Sequence, residues 1–593
     1  MTTFEIGAHD FLLDGRPHQI ISGALHYFRV HPDLWADRIH KARLMGLNAI
    51  ETVVPWNFHV PEVGAYDFTG QRDIGRFLDL IHAEGMHAIV RPSPYICGEW
   101  DGGGFPGWLF ADSQTGVRRA EPRFLEAIEG YLAHLLPHIA ERQVTRGGAV
   151  IAVQVENEYG AYPDVPLEER THYLRALVEM TRAQGIDVPL LTCDQANDEM
   201  LSTGGLPELH KTANFGANPV ERLEILRRHQ SSGPLMCMEF WDGWFDSWGE
   251  IHHITPSEQN AQDLDIMLGA GASVNIYMFH GGTNMGLTNG ANDKGVYKSI
   301  TTSYDYDAPL SEDGSPTDKY FAFREVIARY APVPDEVPEA SPDAPTLEVT
   351  LDRAVRFTEA LPALGSPGSF DHTPTMDELR QWTGFALYRT PLEANDAVLS
   401  VEEVRDRAIV MLDGEPIGLL DRATSTTAVA LPARAGELGV LLEDQGRVNY
   451  GPRIGEQKGL IGKVRTATRD LDTWTVTPLR IPEAPHVLAD HIWKGRTETS
   501  SRPFAGPVFR AGRFDSVAGR DHFLRLDGWT KGLAWVNGEL LGRYWSFGPT
   551  ETMFIPGPLI RESGNELVLF ELHGASTSTA RFVSAADLGP TEP

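Results

Sequence analysis

The sequence predicts a (β/α)8 barrel followed by β-sandwich domains, and three observations carry that prediction. Over about residues 17–330, eight short apolar runs alternate with amphipathic stretches, as in a parallel sheet with crossover helices. Residues 331–345, APVPDEVPEASPDAP, hold five prolines, which exclude a helix or an inner strand and mark an extended linker. Beyond the linker the pattern changes to short β-type runs separated by turn pairs.

The eight runs are IISGALHYF, LNAIETVVP, MHAIVRPS, AVIAVQVEN, VPLLTCD, TANFG, PLMCMEF and SVNIYMF. Between them lie helical patterns such as DLWADRIHKARLM, DIGRFLDLIHAE, RFLEAIEGYLAHLLPHI and ERTHYLRALVEMTRAQ. Gly46, Gly85 and Gly185 each close a helical stretch just before a strand, where the chain needs a left-handed residue. An open doubly wound sheet is the competing architecture, but no GxGxxG follows the first run. In the C-terminal half, AIVMLDGEPIGLL and GLAWVNGELLGRYW repeat one design around Asp413-Gly414 and Asn537-Gly538, both strong hairpin signals. The expected organisation is a barrel over 1–335, a proline-rich linker and lead-in over 336–380, and two β-sandwich modules over 381–490 and 491–593.

With 82 acidic against 51 basic residues the net charge is −31, which argues against a nucleic-acid partner, since phosphate binding needs clustered Lys and Arg. A neutral, hydroxyl-rich small molecule is compatible with that charge. No apolar run approaches the ~20 residues of a membrane span, so no membrane partner is expected. The three cysteines, Cys97, Cys193 and Cys237, form no CxxC and no CxxxH, which excludes a disulfide framework and argues against a zinc site. His252-His253 are adjacent, so they do not face one site on a regular element, and no metal or cofactor is expected. Gly281-Gly282-Thr283-Asn284 lacks the Lys-Ser/Thr of a phosphate loop and reads as a tight turn. The N-terminus shows neither a basic patch nor an apolar h-region, so the expected compartment is the cytoplasm. Homo-oligomerisation stays open.

In a (β/α)8 barrel, reactive groups sit at the C-terminal ends of the strands. The third, fourth and seventh exits read PYICGEW, VENEYG and MEFW, each with a carboxylate next to an aromatic residue. A carboxylate at the end of an apolar strand is costly to bury without a partner, and paired carboxylates with aromatics suit glycoside hydrolysis. The bland alternative is a structural ion pair near the barrel mouth. Glu156 and Glu158 are two apart and fall on the same side of an ideal strand, so periodicity alone leaves the general acid ambiguous.

The ordered motifs GALHYFR, PYICGEWDGGGFPGW, QVENEYG, MEFWDGWFDSWG, YMFHGGTN and TSYDYDAPL, with GWTKGLAWVNGELLGRYW near the C-terminus, resemble glycoside hydrolase family 35. That resemblance spans the barrel and the last module, and implies a retaining, exo-acting β-galactosidase. It assigns Glu158, after Asn157, as acid/base, and Glu239 as nucleophile, which leaves Glu156 structural. It also implies that Asn157 holds the sugar 2-hydroxyl, that Glu99 and the backbone at Gly98 bind ring hydroxyls, and that Tyr306 contacts the sugar near the nucleophile. Two positions depart from many members of that family: Val53 and Trp241 stand where those carry Tyr. Both lie near the sugar in the family, so another glycon, as in a β-glucosaminidase, remains an alternative. A sugar-binding protein on an inactive scaffold is a third reading, whose mark would be loss of one carboxylate.

Overall fold

The computed structural model describes residues 2–111, 115–495 and 502–591. Residues 496–501 and 592–593, expected within the last module, lie outside the described residues. All eight apolar runs are strands: β1 (Ile21–Leu25), β2 (Ala49–Val53), β3 (His87–Arg91), β4 (Val150–Gln154), β5 (Leu190–Gln195), β6 (His210–Phe215), β7 (Met236–Trp241) and β8 (Ser273–His280). They are parallel and close on themselves, β8 pairing with β1, which decides for the barrel over the open sheet.

Helices follow the strands, among them Trp35–Met45, Ile74–Ala83, Pro122–Ala140 and Leu167–Ala183, which are the four amphipathic patterns of the sequence. Gly46, Gly85 and Gly185 carry φ of 99°, 75° and 84°, the left-handed turn that returns each helix to the next strand. Ala49, Ile89, Ile151, Leu191, Met236 and Met238 form one apolar cluster of barrel residues with Phe4 and Phe11. Those two phenylalanines stack at 5.5 Å and come from a small antiparallel sheet, Phe4–Ile6, Phe11–Leu13 and Arg16–His18, placed ahead of the barrel strands. This end is therefore a packed core, and the opposite, C-terminal mouth is the one left for chemistry.

The first sandwich faces a six-stranded sheet, which includes Phe385–Leu392, Arg407–Leu412 and Gly436–Glu443, with a three-stranded one containing Val398–Arg405 and Gly459–Thr466. The last sandwich pairs a five-stranded sheet, including Val508–Phe514, Lys531–Val536 and Asn565–Glu571, with a four-stranded one. Both expected hairpins form, with φ positive at Asp413 and Gly414 (54° and 82°) and at Asn537 and Gly538 (55° and 91°), as a type I′ turn requires. The two modules share apolar packing, for Phe385, Ile409 and Leu441 of the first cluster with Phe509, Leu533 and Phe570 of the last.

The lead-in stretch is more structured than its prolines suggest. Leu347–Thr350 pairs with Thr579–Val583, and Arg353–Arg356 pairs with Val508–Phe514, so both belong to the sheets of the last sandwich. Gly368–Phe370 instead joins the first sandwich through Trp474–Leu479. The chain thus begins the last module, makes the whole first sandwich, and only then returns to finish.

Candidate active site

Strand β4 ends at Gln154, and the carboxylates of the fourth exit lie beyond it. Strand alternation therefore does not apply to them. Glu156 and Glu158 both adopt left-handed backbone, at φ 60° and 47°, a conformation that costs a non-glycine residue ~1–3 kcal/mol and clusters at functional sites. The two side chains part company. Glu156 accepts a fork from Arg118, with Nε at 3.1 Å and Nη2 at 2.7 Å, and a hydrogen bond from the Tyr173 hydroxyl at 3.0 Å. It is a saturated structural carboxylate. Glu158 lines the open pocket, and it accepts a hydrogen bond from the neutral Asn214 amide at 3.2 Å. Burial, and then the charge of Glu239, push the Glu158 carboxyl up to about 8.

Glu239 belongs to β7 and faces the same pocket. Arg91, the last residue of β3, donates to its Oε1 at 2.5 Å, and the Trp241 indole donates to Oε2 at 3.1 Å. The Arg91 guanidinium also donates to Asn157 Oδ1 and lies 3.5 Å from Glu51 of β2. Arg91 and Glu51 are both fully buried, and burial pushes the Glu51 carboxyl up to about 7 against the pull of Arg91. Arg91 thus ties Glu239 to Asn157 from beneath the pocket floor. Because Asn157 Oδ1 is occupied in this way, its amide N–H groups are what it can offer a sugar hydroxyl.

The third exit forms another wall. Cys97, Gly98 and Glu99 are all left-handed, at φ 55°, 57° and 49°, which turns Glu99 into the pocket. The Tyr304 hydroxyl donates to Glu99 Oε2 at 2.6 Å, and Arg29 lies 3.7 Å over the Tyr304 ring while donating to the Gly98 carbonyl. Tyr306, with φ 66°, lies edge-on to Tyr277, and Trp241, Trp244 and Phe245 complete an aromatic side. The cavity with its open mouth spans about 550 Å³.

Of the expected site residues, Glu158, Glu239, Gly98, Glu99, Asn157, Tyr306 and Trp241 meet in this pocket. Val53 does not line it. It is 1% exposed within the main apolar cluster, so its side chain is spent on packing, and the expectation of a sugar contact there is corrected. His252 and His253 both hydrogen-bond Asp246, at 2.7 and 3.1 Å, and among the described residues no three His, Cys, Asp or Glu side chains are grouped as metal ligands.

Several residues in and around the pocket escaped the sequence reading. Arg91 could have been found, since a guanidinium ending an apolar inner strand is as costly to bury unpaired as a carboxylate. Gln195 ends β5 and Asn214 is the penultimate residue of β6, neither with any local mark. Tyr450 could not have been found: it comes from the first sandwich. Val448–Tyr450 pairs with Ala291–Asp293 of the loop after β8, which carries Tyr450 to the pocket rim near Lys294 and brings Asn449 Nδ2 to 3.5 Å from Glu99.

Two carboxyls from the fourth and seventh strand exits, one held protonated by burial and one ion-paired, can donate a proton and attack an electrophilic carbon across one small cavity. Residues 10–330 match the family model described as glycosyl hydrolases family 35. The chain belongs to that family. The family-35 barrel is followed by matches to a β-galactosidase first all-beta domain over 374–480 and a β-galactosidase galactose-binding domain over 507–565. Among its relatives, the β-galactosidase of Mus musculus is 40% identical over 96% of this chain and 91% of its own length. The β-galactosidase of Homo sapiens is 39% identical over 98% and 88%, and a β-galactosidase-1-like protein of Mus musculus is 40% identical over 95% and 88%. As a family-35 member the chain is a glycoside hydrolase, and every residue lining the pocket at its barrel mouth except Tyr450 lies within the matched residues 10–330.

Proposed function

We propose that this glycoside hydrolase is a retaining, exo-acting β-galactosidase that removes terminal non-reducing β-D-galactosyl residues by double displacement. The observation that carries the reading is the unlike surroundings of Glu158 and Glu239 in one pocket. Glu158, held protonated by burial, passes its proton to the glycosidic oxygen while a Glu239 oxygen attacks the anomeric carbon and the bond to the aglycon breaks. Glu158, now a carboxylate, takes a proton from water. That water oxygen attacks the anomeric carbon and releases Glu239. Arg91 and the Trp241 indole hold Glu239 in place through both steps.

Glu99, Asn157 and Tyr306 supply hydrogen-bonding groups for ring hydroxyls, and the aromatic side suits stacking on the sugar's C–H face. The galactosyl preference is supported by the names of the relatives. Hydrolysis of an aryl β-galactoside followed by proton NMR tests the mechanism: β-galactose appears first, and α-galactose as first product overturns it. A panel of aryl β-glycosides differing only in the glycon tests specificity. Galactoside should give the highest kcat/KM, ahead of glucoside, fucoside and glucosaminide, and any other order at the top sinks the glycon assignment.

A further inference from the structure

The pocket of Glu158 and Glu239 is lined by three acidic side chains, Glu99 being the third, and Lys294 alone among its described lining residues is basic. Lys294 follows the strand Ala291–Asp293 in the loop after β8 and is exposed at the rim. Its ammonium lies 4.7 Å from the centre of the Tyr450 ring, and among the described residues no carboxylate pairs with it. The charges beside it in the loop are already matched: Asp293 pairs with Arg422 at 2.8 Å, and Lys298 pairs with Glu250.

The place of that ammonium matters because of the way the aglycon leaves. A general acid protonates the glycosidic oxygen, so the aglycon lies beside Glu158. Tyr450 stands on the same side. Its hydroxyl accepts from Gln195 Nε2 at 3.3 Å, and Gln195 ends β5, the strand that pairs with β4. Burial, and then the Glu158 charge, push the Tyr450 hydroxyl up to about 12. A group leaving past Glu158 therefore passes Tyr450 and the ammonium over its ring.

We propose that Lys294 determines specificity for the leaving group, favouring β-galactosides whose aglycon carries a carboxylate within reach of its ammonium. This rests on the galactosidase reading and adds the aglycon side to it. The charge balance of the pocket selects an anion. Glu158 holds a proton, Glu239 is met by Arg91, and Glu99 accepts from the Tyr304 hydroxyl. What the rim offers an incoming group is then the charge of Lys294. A cationic aglycon meets it as a like charge. A neutral hydroxyl accepts an ordinary hydrogen bond from it, whereas a carboxylate accepts one with both partners charged, the stronger kind. The net charge of −31 opposes any anion at long range, but at physiological salt it is screened beyond about 8 Å, so the near ammonium decides.

Two substrates test this on the full chain: para-carboxymethylphenyl β-galactoside and its carboxamide, in which the methylene keeps the two phenol leaving groups alike. At about pH 6.5 the aglycon carboxylate is ionised while Glu158 still holds its proton. Wild type should favour the acid over the amide by roughly two- to fivefold in kcat/KM, the worth of an exposed ion pair. That preference should shrink as salt rises from about 0.01 M to 1 M, because the screening length falls from about 30 Å to 3 Å. Lys294→Gln should bring the ratio to one or below, and Lys294→Glu should favour the amide. A wild-type ratio of one or less, a ratio that Lys294→Gln leaves unchanged, or a preference indifferent to salt overturns the proposal. The galactosyl reading fails separately. Should another glycon prove the better substrate, the same two aglycons on that sugar carry the test, and an acid preference that depends on Lys294 upholds its role while the glycon assignment falls. A missing acid preference with galactoside still the best glycon overturns the role of Lys294 alone.

Discussion

At the scale of single residues, the proposed mechanism rests on two chemically identical side chains with different neighbours. Glu158→Gln removes the proton donor, so cleavage of substrates with poor leaving groups should slow by about 10²–10⁴-fold, while activated aryl galactosides lose less in their first step. Steady-state kinetics on both substrate types checks this, and equal losses would argue against Glu158 as the acid. Since Glu158 must be protonated to act, kcat/KM should fall as pH rises through about 8. Arg91→Met makes a different test. It strips Glu239 and Asn157 of a shared donor and leaves Glu51 buried without its cation. Loss of one member of a buried ion pair costs about 3–5 kcal/mol, so the variant should melt clearly lower as well as turn over more slowly. A melting curve unchanged from wild type would show that Glu51 finds another partner. The legibility of these residues follows the same physics. Glu158 and Glu239 were visible because carboxylates at the ends of apolar strands demand a reason. The choice of Glu158 over Glu156 was invisible to strand periodicity, because both lie past the strand in left-handed backbone. It comes only from the family resemblance, and the Arg118 fork that occupies Glu156 supports it.

Whole elements were legible wherever their signal is local. The eight barrel strands, the four amphipathic helices and the two I′ hairpins each announce themselves within a dozen residues. What stayed hidden depends on partners far along the chain: the four-residue strands at Leu347 and Arg353, and the Val448–Tyr450 strand that completes the pocket rim. None of these is long enough to show a period, and the prolines before Leu347 suggest an extended linker. Close approach between elements is equally unreadable. Gly243, four residues after the nucleophile candidate, packs so tightly on the loop of Tyr306 that an added Cβ would fall 1.7 Å from the Tyr306 carbonyl oxygen. Gly243→Ala must therefore push that loop away and move Tyr306 in the pocket. Its kcat/KM should drop by at least tenfold, since misplacement of ~1 Å costs on the order of 10²-fold. An alanine variant with wild-type kinetics would show that the loop yields without moving Tyr306.

For the molecule as a whole, stability should depend on pH in a way set by its buried acids. Glu158 and Glu312 are raised to about 8, and Glu51, Asp101 and Asp194 to about 7, chiefly by burial. Each binds its proton more tightly folded than unfolded. The stability they confer is therefore full below their unfolded values near 4 and is lost as pH rises towards 7–8. Glu403 runs the other way: its arginine partners lower it to about 2, so its contribution is lost as pH falls through that value. Melting temperature should peak on the acidic side of neutrality and decline towards pH 8, and a maximum above pH 8 would contradict these assignments. A barrel ended at residue 335 should show little activity, because Asn449 and Tyr450 are missing from its pocket. The interleaved path of the chain bears on how the protein is made. Strands Leu347–Thr350 and Arg353–Arg356 leave the ribosome long before Val508–Phe514 and Thr579–Val583 exist to receive them. At ~5–20 residues per second, Arg353–Arg356 waits roughly 8–30 s, with unpaired edges exposed while the first sandwich folds beside it. A nascent chain stalled in that interval is one that a holdase should recognise, and one that a protease should clip just beyond the barrel.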